Sequence, residues 1–187
     1  MVVEKNKKFD IAKFTLLIFL AVFSTMFFHE LGHYLFGTVL GNKMEMDLNG
    51  TRPVSGGFLK SSHLPIILFG GPLFTLIQAF VALTLIIKLN KKWLYPFVLI
   101  QGLYRVGLYI TLVFFSNRLI YQDEARLGEY FGLNPWIIPV LLCLTLTSII
   151  WWSSRELKIK LKYNLITLIT GIFFFILLFK INQMIFL

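Results

Sequence analysis

Two histidines stand four residues apart in the stretch His29-Glu30-Leu31-Gly32-His33. On an α-helix, residues i and i+4 lie on one face, one turn apart, so both imidazoles can reach the same metal ion. Glu30 lies at a neighbouring angle around the helix, where its carboxylate can contact a water molecule on that metal without ligating it. This is the H-E-x-x-H pattern of zinc hydrolases, in which the glutamate acts as general base.

The motif lies inside an apolar segment, about residues 14–40, that is long enough to cross a bilayer. An ionisable side chain at the centre of a membrane helix costs roughly 2.5–3.5 kcal/mol on insertion scales. Three such groups within five residues need compensation, and metal coordination supplies it for the histidines. A purely structural polar cluster is the alternative explanation.

The composition is that of a polytopic membrane protein. Of 187 residues, 57% are hydrophobic and only 14% are charged, whereas a soluble domain carries about 25% charged residues. We predict a single membrane-embedded domain over residues 1–187, with a core at about 14–135 and additional helices at about 135–187. The net charge of +9 does not indicate nucleic-acid binding, because the basic residues are scattered between apolar spans.

Apolar runs along the chain predict an all-α fold with about five transmembrane helices. These runs cover approximately residues 14–40, 65–87, 93–115, 135–152 and 163 to the end. The loop after the first run contains a stretch, residues 43–48, in which polar and apolar side chains alternate before Asn49-Gly50. That pattern is typical of a short β-hairpin, whose edge strand could hold an extended peptide by β-addition. An irregular polar loop is the alternative.

The basic residues predict the orientation of the five spans. One side of the membrane receives eleven of them, including the N-terminal lysines, and the other side receives six. The positive-inside rule therefore places the N-terminus in the cytoplasm. His29 lies about 22 Å along the helix from Phe14, so the motif falls in the outer half of a core about 30 Å thick. The loop that contains Asp123 emerges on that same outer side.

A catalytic zinc ion has three protein ligands and one water, so two histidines are not enough. Asp123 is the preferred third ligand, because it follows the third span at the level of the histidines. Cys143 is the least suitable candidate, since it lies in an otherwise featureless apolar run. The other candidates are acidic or histidine residues of the two outer loops, namely Glu45, Asp47, His63, Glu124 and Glu129.

Three features together resemble the site-2 protease family of intramembrane zinc metalloproteases. They are the His29–His33 motif in an early membrane helix, Gly70-Gly-Pro-Leu73 in the next helix, and Asp123 after the following one. The resemblance covers about residues 14–135. It implies a three-helix core, zinc ligation by the two histidines and Asp123, Glu30 as the base, and cleavage of transmembrane substrates. Two positions differ from the family pattern: Glu124 replaces a glycine, and Thr75 replaces an asparagine.

We therefore expect a multi-pass protein of a bacterial plasma membrane that uses Zn²⁺ to hydrolyse peptide bonds of membrane-embedded proteins. Its expected partners are the lipid bilayer and a transmembrane protein or peptide substrate. Gln78 and Arg105, polar residues inside the second and third spans, are candidates for binding the substrate and stabilising the oxyanion. Arg105 also needs a carboxylate or the site itself as its partner at this depth. The alternatives are a non-proteolytic or inactive homologue with a binding or regulatory role, and another membrane metallohydrolase.

Overall fold

The computed structural model describes residues 11–186, and at positions 116 and 117 it describes the backbone alone. This part of the chain forms six α-helices and one two-stranded antiparallel sheet. In chain order the elements are α1 Ile11–Val39, β1 Met44–Asp47, β2 Gly50–Pro53, α2 Leu64–Leu89, α3 Tyr95–Phe114, α4 Asp123–Tyr130, α5 Ile137–Glu156 and α6 Leu161–Phe186.

Five of these helices, α1, α2, α3, α5 and α6, are long and apolar enough to cross a membrane. The predicted all-α polytopic fold with about five spans is confirmed. Helix α4 has eight residues and extends for about 12 Å, too short to cross. The orientation remains a prediction, and three of the lysines on which it depends, Lys5, Lys7 and Lys8, lie outside the described residues.

The predicted hairpin is also confirmed, with its turn one residue earlier than the Asn-Gly pair indicates. Strands β1 and β2 pair in a register that sets Asp47 opposite Gly50, so the loop consists of Leu48 and Asn49. The Asn49 backbone N–H donates to Asp47 Oδ1 at 2.7 Å, which closes the turn through a side chain. Gly50 therefore takes a strand position instead of a turn position.

The hairpin tip is fastened to α6 by a buried asparagine. The Leu48 backbone N–H donates to Asn182 Oδ1 at 3.1 Å, and Asn182 Nδ2 donates to Asp47 Oδ1 at 2.9 Å. Asn49 Nδ2 in turn donates to the Phe179 carbonyl oxygen at 3.2 Å. An amide inside a membrane helix needs such partners, because an unpaired polar group is costly in an apolar environment. The last span is thereby tied to the first loop.

Helices α1 and α2 cross with their backbones in direct contact. A Cβ atom on Gly32 would overlap the Gly70 carbonyl oxygen, and a Cβ atom on Gly70 would meet the Gly32 carbonyl carbon at 2.8 Å. Small residues allow this close approach in membrane proteins, where association depends on packing rather than on the hydrophobic effect. Pro72 lies inside α2 without ending the helix. The crossing brings the H-E-x-x-H turn of α1 against the Gly-Gly-Pro turn of α2.

We predict that Gly70→Ala destabilises the fold by about 1–3 kcal/mol, the range for overpacking a tight contact. Gly107→Ala in α3 is the matched control, because no atom lies within 4 Å of the position of its Cβ. That control should be neutral, or more stable by about 0.5–1 kcal/mol, since alanine favours a helix over glycine. Unfolding in mixed detergent micelles measures both variants. Equal unfolding midpoints would contradict the close crossing.

Candidate metal centre

Three donor atoms from two distant parts of the chain converge. His29 Nε2 and His33 Nε2 are 3.2 Å apart, and they lie 3.3 and 3.1 Å from Asp123 Oδ2. Ligands at about 2.0–2.1 Å from a tetrahedral zinc ion are about 3.3–3.4 Å from one another. The three atoms therefore match three corners of such a site. Within residues 11–186 this is the one group of its kind.

Helix α2 orients both imidazole rings. His33 Nδ1 lies 2.7 Å from the Ile67 carbonyl oxygen. A carbonyl oxygen can only accept a hydrogen bond, so Nδ1 must carry the proton. His29 Nδ1 lies 3.1 Å from Thr75 Oγ1, and the Thr75 hydroxyl donates its own proton to the Gly71 carbonyl oxygen at 3.1 Å. Both Nδ1 atoms thus have acceptors, so the Nε2 lone pairs are directed at the donor group. Outer partners of this kind fix the tautomer of metal-binding histidines.

Glycine at position 71 leaves the room that the rings need. A Cβ atom there would overlap His33 Nε2 and would stand 2.6 Å from His29 Cε1. The Gly70-Gly71 pair therefore has two separate uses, since Gly70 contacts the backbone of α1 and Gly71 contacts the imidazoles.

Asp123 is the first residue of α4. After α3 the chain turns back, so the carboxylate meets histidines that precede it by 94 and 90 residues. Burial by itself raises the pKa of the Asp123 carboxyl, but the imidazoles of His29 and His33 beside it outweigh burial and hold that pKa well below its usual range. The carboxylate is therefore ionised, as a metal ligand must be.

The charges of the surrounding side chains favour a divalent cation. With both histidines counted as neutral, Glu30, Asp123 and Glu124 carry three formal negative charges and Arg105 carries one positive charge, which leaves −2. Glu124 and Arg105 are buried and pair with each other, so the excess lies on Glu30 and Asp123, which are half-buried. Uncompensated carboxylates in an apolar environment are strongly unfavourable. A divalent ion on the three converging donor atoms would neutralise the cluster, so these residues fit a zinc ion by geometry and by charge.

A cavity of about 210 Å³ opens beside this group, with His29 and Glu30 in its wall. The hairpin tip and α6 supply the opposite side through Asn49, Phe175 and Phe179. The Thr51 hydroxyl of β2 lies 3.0 Å from both the carbonyl oxygen and Oε2 of Glu30. The hairpin thus holds the glutamate in place and also closes the cavity around it.

Of the two residues that were predicted to bind substrate, one lines the cavity and the other does not. Arg105 lines the cavity, and its Nη2 lies 2.7 Å from Nδ1 and 2.6 Å from Nε2 of His29. These near-equal distances place the guanidinium against the ring, not in line with the lone pair of either nitrogen. Gln78 instead accepts a hydrogen bond from Gln101 Nε2 at 3.2 Å and does not line the cavity.

The alternative ligands lie outside the donor group. Glu45 forms an exposed ion pair with Arg52 at 2.5 Å on the hairpin. His63 Nδ1 contacts Asn42 Nδ2 at 3.1 Å, beyond the end of α1. Among the described residues, the candidates that do not join His29, His33 and Asp123 are Glu45, Asp47, His63, Glu124, Glu129 and Cys143.

Two residues at the site were not assigned a role from the sequence, although spacing could have indicated both. Thr75 follows Gly71 by four residues, so both lie on the face of α2 that meets the histidines. Tyr109 continues a polar stripe on α3 with Gln101 and Arg105, again at intervals of four residues. A polar stripe along an apolar helix indicates the side that faces a polar site.

No family model, no curated protein and no solved structure matches this chain. The chemistry of the site is therefore inferred from its own atoms, and the resemblance to site-2 proteases rests on the three sequence motifs. Two imidazoles and one carboxylate, with a further glutamate beside them, are typical of catalytic zinc sites that keep a fourth position open for water.

We predict that Thr75→Val weakens zinc binding by about 10–100-fold, the usual effect of removing an outer partner of a ligating histidine. The substitution deletes the acceptor of His29 Nδ1 and nearly preserves the volume. Thr84→Val is the matched control, because Thr84 lies on the same helix, is exposed and bonds only locally, to the Phe80 carbonyl oxygen. Competition with a chelator of known affinity measures both variants. Equal zinc affinities would contradict the role given to Thr75.

Proposed function

We propose that this chain is an intramembrane zinc metalloprotease of the site-2 type, which hydrolyses peptide bonds of membrane-embedded proteins. The observation that supports this most strongly is the convergence of His29, His33 and Asp123, with donor atoms 3.1–3.3 Å apart. Glu30 lies beside them on a cavity, within a helix that is long and apolar enough to span a membrane. A binding protein needs no carboxylate base at that position.

In this proposal His29, His33 and Asp123 would hold the zinc ion, and Glu30 moves the protons. A zinc ion there would lower the pKa of a water molecule toward 7 and would polarise the carbonyl group of the substrate. Thr51 occupies Oε2 of Glu30, which leaves Oε1 to accept the proton of the attacking water. Glu30 then delivers that proton to the leaving amine nitrogen when the C–N bond breaks.

The small cavity also limits how a substrate can bind. Peptide bonds in an intact substrate helix are hydrogen-bonded and shielded, so the segment to be cleaved must unwind before it reaches Glu30. The cavity wall at Leu48 and Asn49 adjoins strand β1, whose edge can pair with an extended peptide. Phe175 and Phe179 of α6 restrict access of water from the other side.

We further propose a location in a bacterial plasma membrane with the N-terminus in the cytoplasm. The eleven-to-six distribution of basic residues supports this orientation. His29 precedes Val39, the last residue of α1, by ten residues, or about 15 Å of helix. The site then lies nearer to the outer face than to the cytoplasm.

We predict that the purified wild-type protein holds about one zinc ion per chain by elemental analysis. Glu30→Gln should fold, retain that zinc and lose cleavage, because the amide keeps the shape of the side chain and removes the base. Asp123→Ala should lose zinc, because two histidines under-coordinate the ion. Cleavage is followed by mass spectrometry of new N-termini in membrane proteins from cells that express each variant.

Glu129→Gln is the control for the first variant, since Glu129 is an exposed glutamate of α4 outside the donor group. It should match the wild type in zinc content and in the new termini. Unchanged biological function of Glu30→Gln would identify a binding or regulatory protein instead of an enzyme. Full zinc content in Asp123→Ala would show that another residue is the third ligand.

The orientation is tested by cysteine labelling after Cys143→Ala removes the single native thiol. Ser61→Cys lies just before α2, and Lys160→Cys lies between α5 and α6, and both native residues are exposed. A membrane-impermeant maleimide added to intact cells should label position 61 and should not label position 160. Labelling of position 160 from outside would show the inverted orientation.

A further inference from the structure

A buried ion pair lies next to the donor group of His29, His33 and Asp123 and shares no residue with it. Arg105 Nη1 of α3 lies 3.4 Å from Glu124 Oε1 of α4, and the two side chains are 4% and 0% exposed. Tyr109, one turn after Arg105, donates its hydroxyl proton to Glu124 Oε2 at 2.5 Å. Residues of α3 thus contact both oxygens of Glu124, through an ion pair at Oε1 and a hydrogen bond at Oε2. Glu124 nevertheless follows Asp123 of the donor group directly in the chain.

The other arm of the guanidinium reaches the cavity. Arg105 Nη2 contacts the His29 ring, and Arg105 shares the cavity wall with Glu30. Glu30 and the guanidinium therefore border the same small space. The Tyr104 ring lies 5.4 Å from the Arg105 guanidinium carbon and supports its position from a third side.

We propose that Arg105 stabilises the oxyanion that forms during peptide hydrolysis, and that Glu124 and Tyr109 are the positioning residues that aim it. This inference rests on the proposed function. When the water oxygen bonds to the peptide carbonyl carbon, the electron pair of the C=O double bond moves to its oxygen. Arg105 Nη2–H donates a hydrogen bond to that oxygen without transferring a proton, and the bond weakens as C=O reforms and C–N breaks.

The type of residue suits this task. A guanidinium remains charged under all conditions that proteins meet, and its planar fork fixes two directions at once. One amino group, Nη1, is directed at Glu124, and the other, Nη2, lies against the His29 ring on the cavity wall, where an N–H can meet the substrate oxygen. A donor that is already in place where charge develops needs no reorganisation, and removal of one such donor from an enzyme typically lowers the rate by about 10²–10³-fold.

The test uses the zinc-loaded full chain in detergent micelles and two probes. One probe is an apolar tripeptide phosphinate, which is tetrahedral and anionic like the oxyanion, and the other is the corresponding planar amide. Arg105→Met alone leaves Glu124 unpaired in the core, so the variant of choice is Arg105→Met with Glu124→Gln. Calorimetry should show phosphinate binding weakened by about 100-fold, amide binding within about twofold of wild type, and full zinc content.

Milder variants keep the inference testable if the double variant does not fold. Tyr109→Phe removes one hydrogen bond to Glu124 and should weaken phosphinate binding by about threefold to tenfold. Arg105→Lys keeps the charge but not the planar fork, and should weaken phosphinate binding by about tenfold. Both should spare amide binding. Arg118→Met is the matched control, because Arg118 is exposed and lies outside this network.

Two results would overturn the inference while the proposed function stands. One is unchanged phosphinate affinity in a zinc-loaded variant without the Arg105 guanidinium. The other is an equal loss for phosphinate and amide, which would give the ion pair a merely structural role. A wild-type protein that holds zinc and binds no phosphinate would also overturn it. Failure of the proposed function is distinct, because it shows as wild-type protein without zinc or as cleavage that survives Glu30→Gln.

Discussion

Helices α1 and α2 meet backbone to backbone at Gly32 and Gly70, where a methyl group on either residue would collide with the other helix. This contact decides how far α2 stands from the two histidines. At this separation the Ile67 carbonyl oxygen and the Thr75 hydroxyl reach the Nδ1 atoms of the rings. A wider crossing would leave both imidazoles free to rotate. The orientation of the two imidazole rings is therefore a consequence of helix packing.

The second constraint is electrostatic. The apolar bundle contains three carboxylates and one guanidinium around the histidines, and each would be unfavourable alone. The structure divides them into two groups. Glu124 is matched to Arg105 within the protein, whereas Asp123 and Glu30 remain beside the converging nitrogens. The protein thus neutralises one carboxylate internally and leaves an excess of negative charge where a cation would bind. Packing and charge favour the same position for that cation.

Much of the architecture could be predicted from local sequence patterns. Apolar runs indicate the spans, and alternation in residues 43–48 indicates the hairpin, because both depend on neighbours in the chain. The choice between Asp123 and Glu124 is different. Adjacent residues on a helix point about 100° apart, so the start of α4 decides which carboxylate faces the histidines and which faces Arg105. No local pattern contains that information.

The position of the hairpin turn also depends on more than the local sequence. The sequence favours a turn at Asn49-Gly50, yet the chain turns at Leu48 and Asn49. Both turn residues bond to α6, through Asn182 and Phe179. A helix more than a hundred positions later thus fixes the register, and only the tertiary structure reveals it. Thr75 is an intermediate case, because its spacing from Gly71 indicates the helix face, whereas its contact with His29 depends on the α1–α2 crossing.

The order of the elements along the chain has a consequence for biosynthesis. Translation begins at the N-terminus, so α1 and α4, which carry the three donor residues, are synthesised before α6. Phe175 and Phe179, which close the cavity, emerge last among the residues that surround it. The nascent protein therefore passes through a stage in which the donor atoms exist and their cover does not. In the proposed function, a metal ion would have an open route to the donor atoms during that interval, before Asn182 docks onto the hairpin.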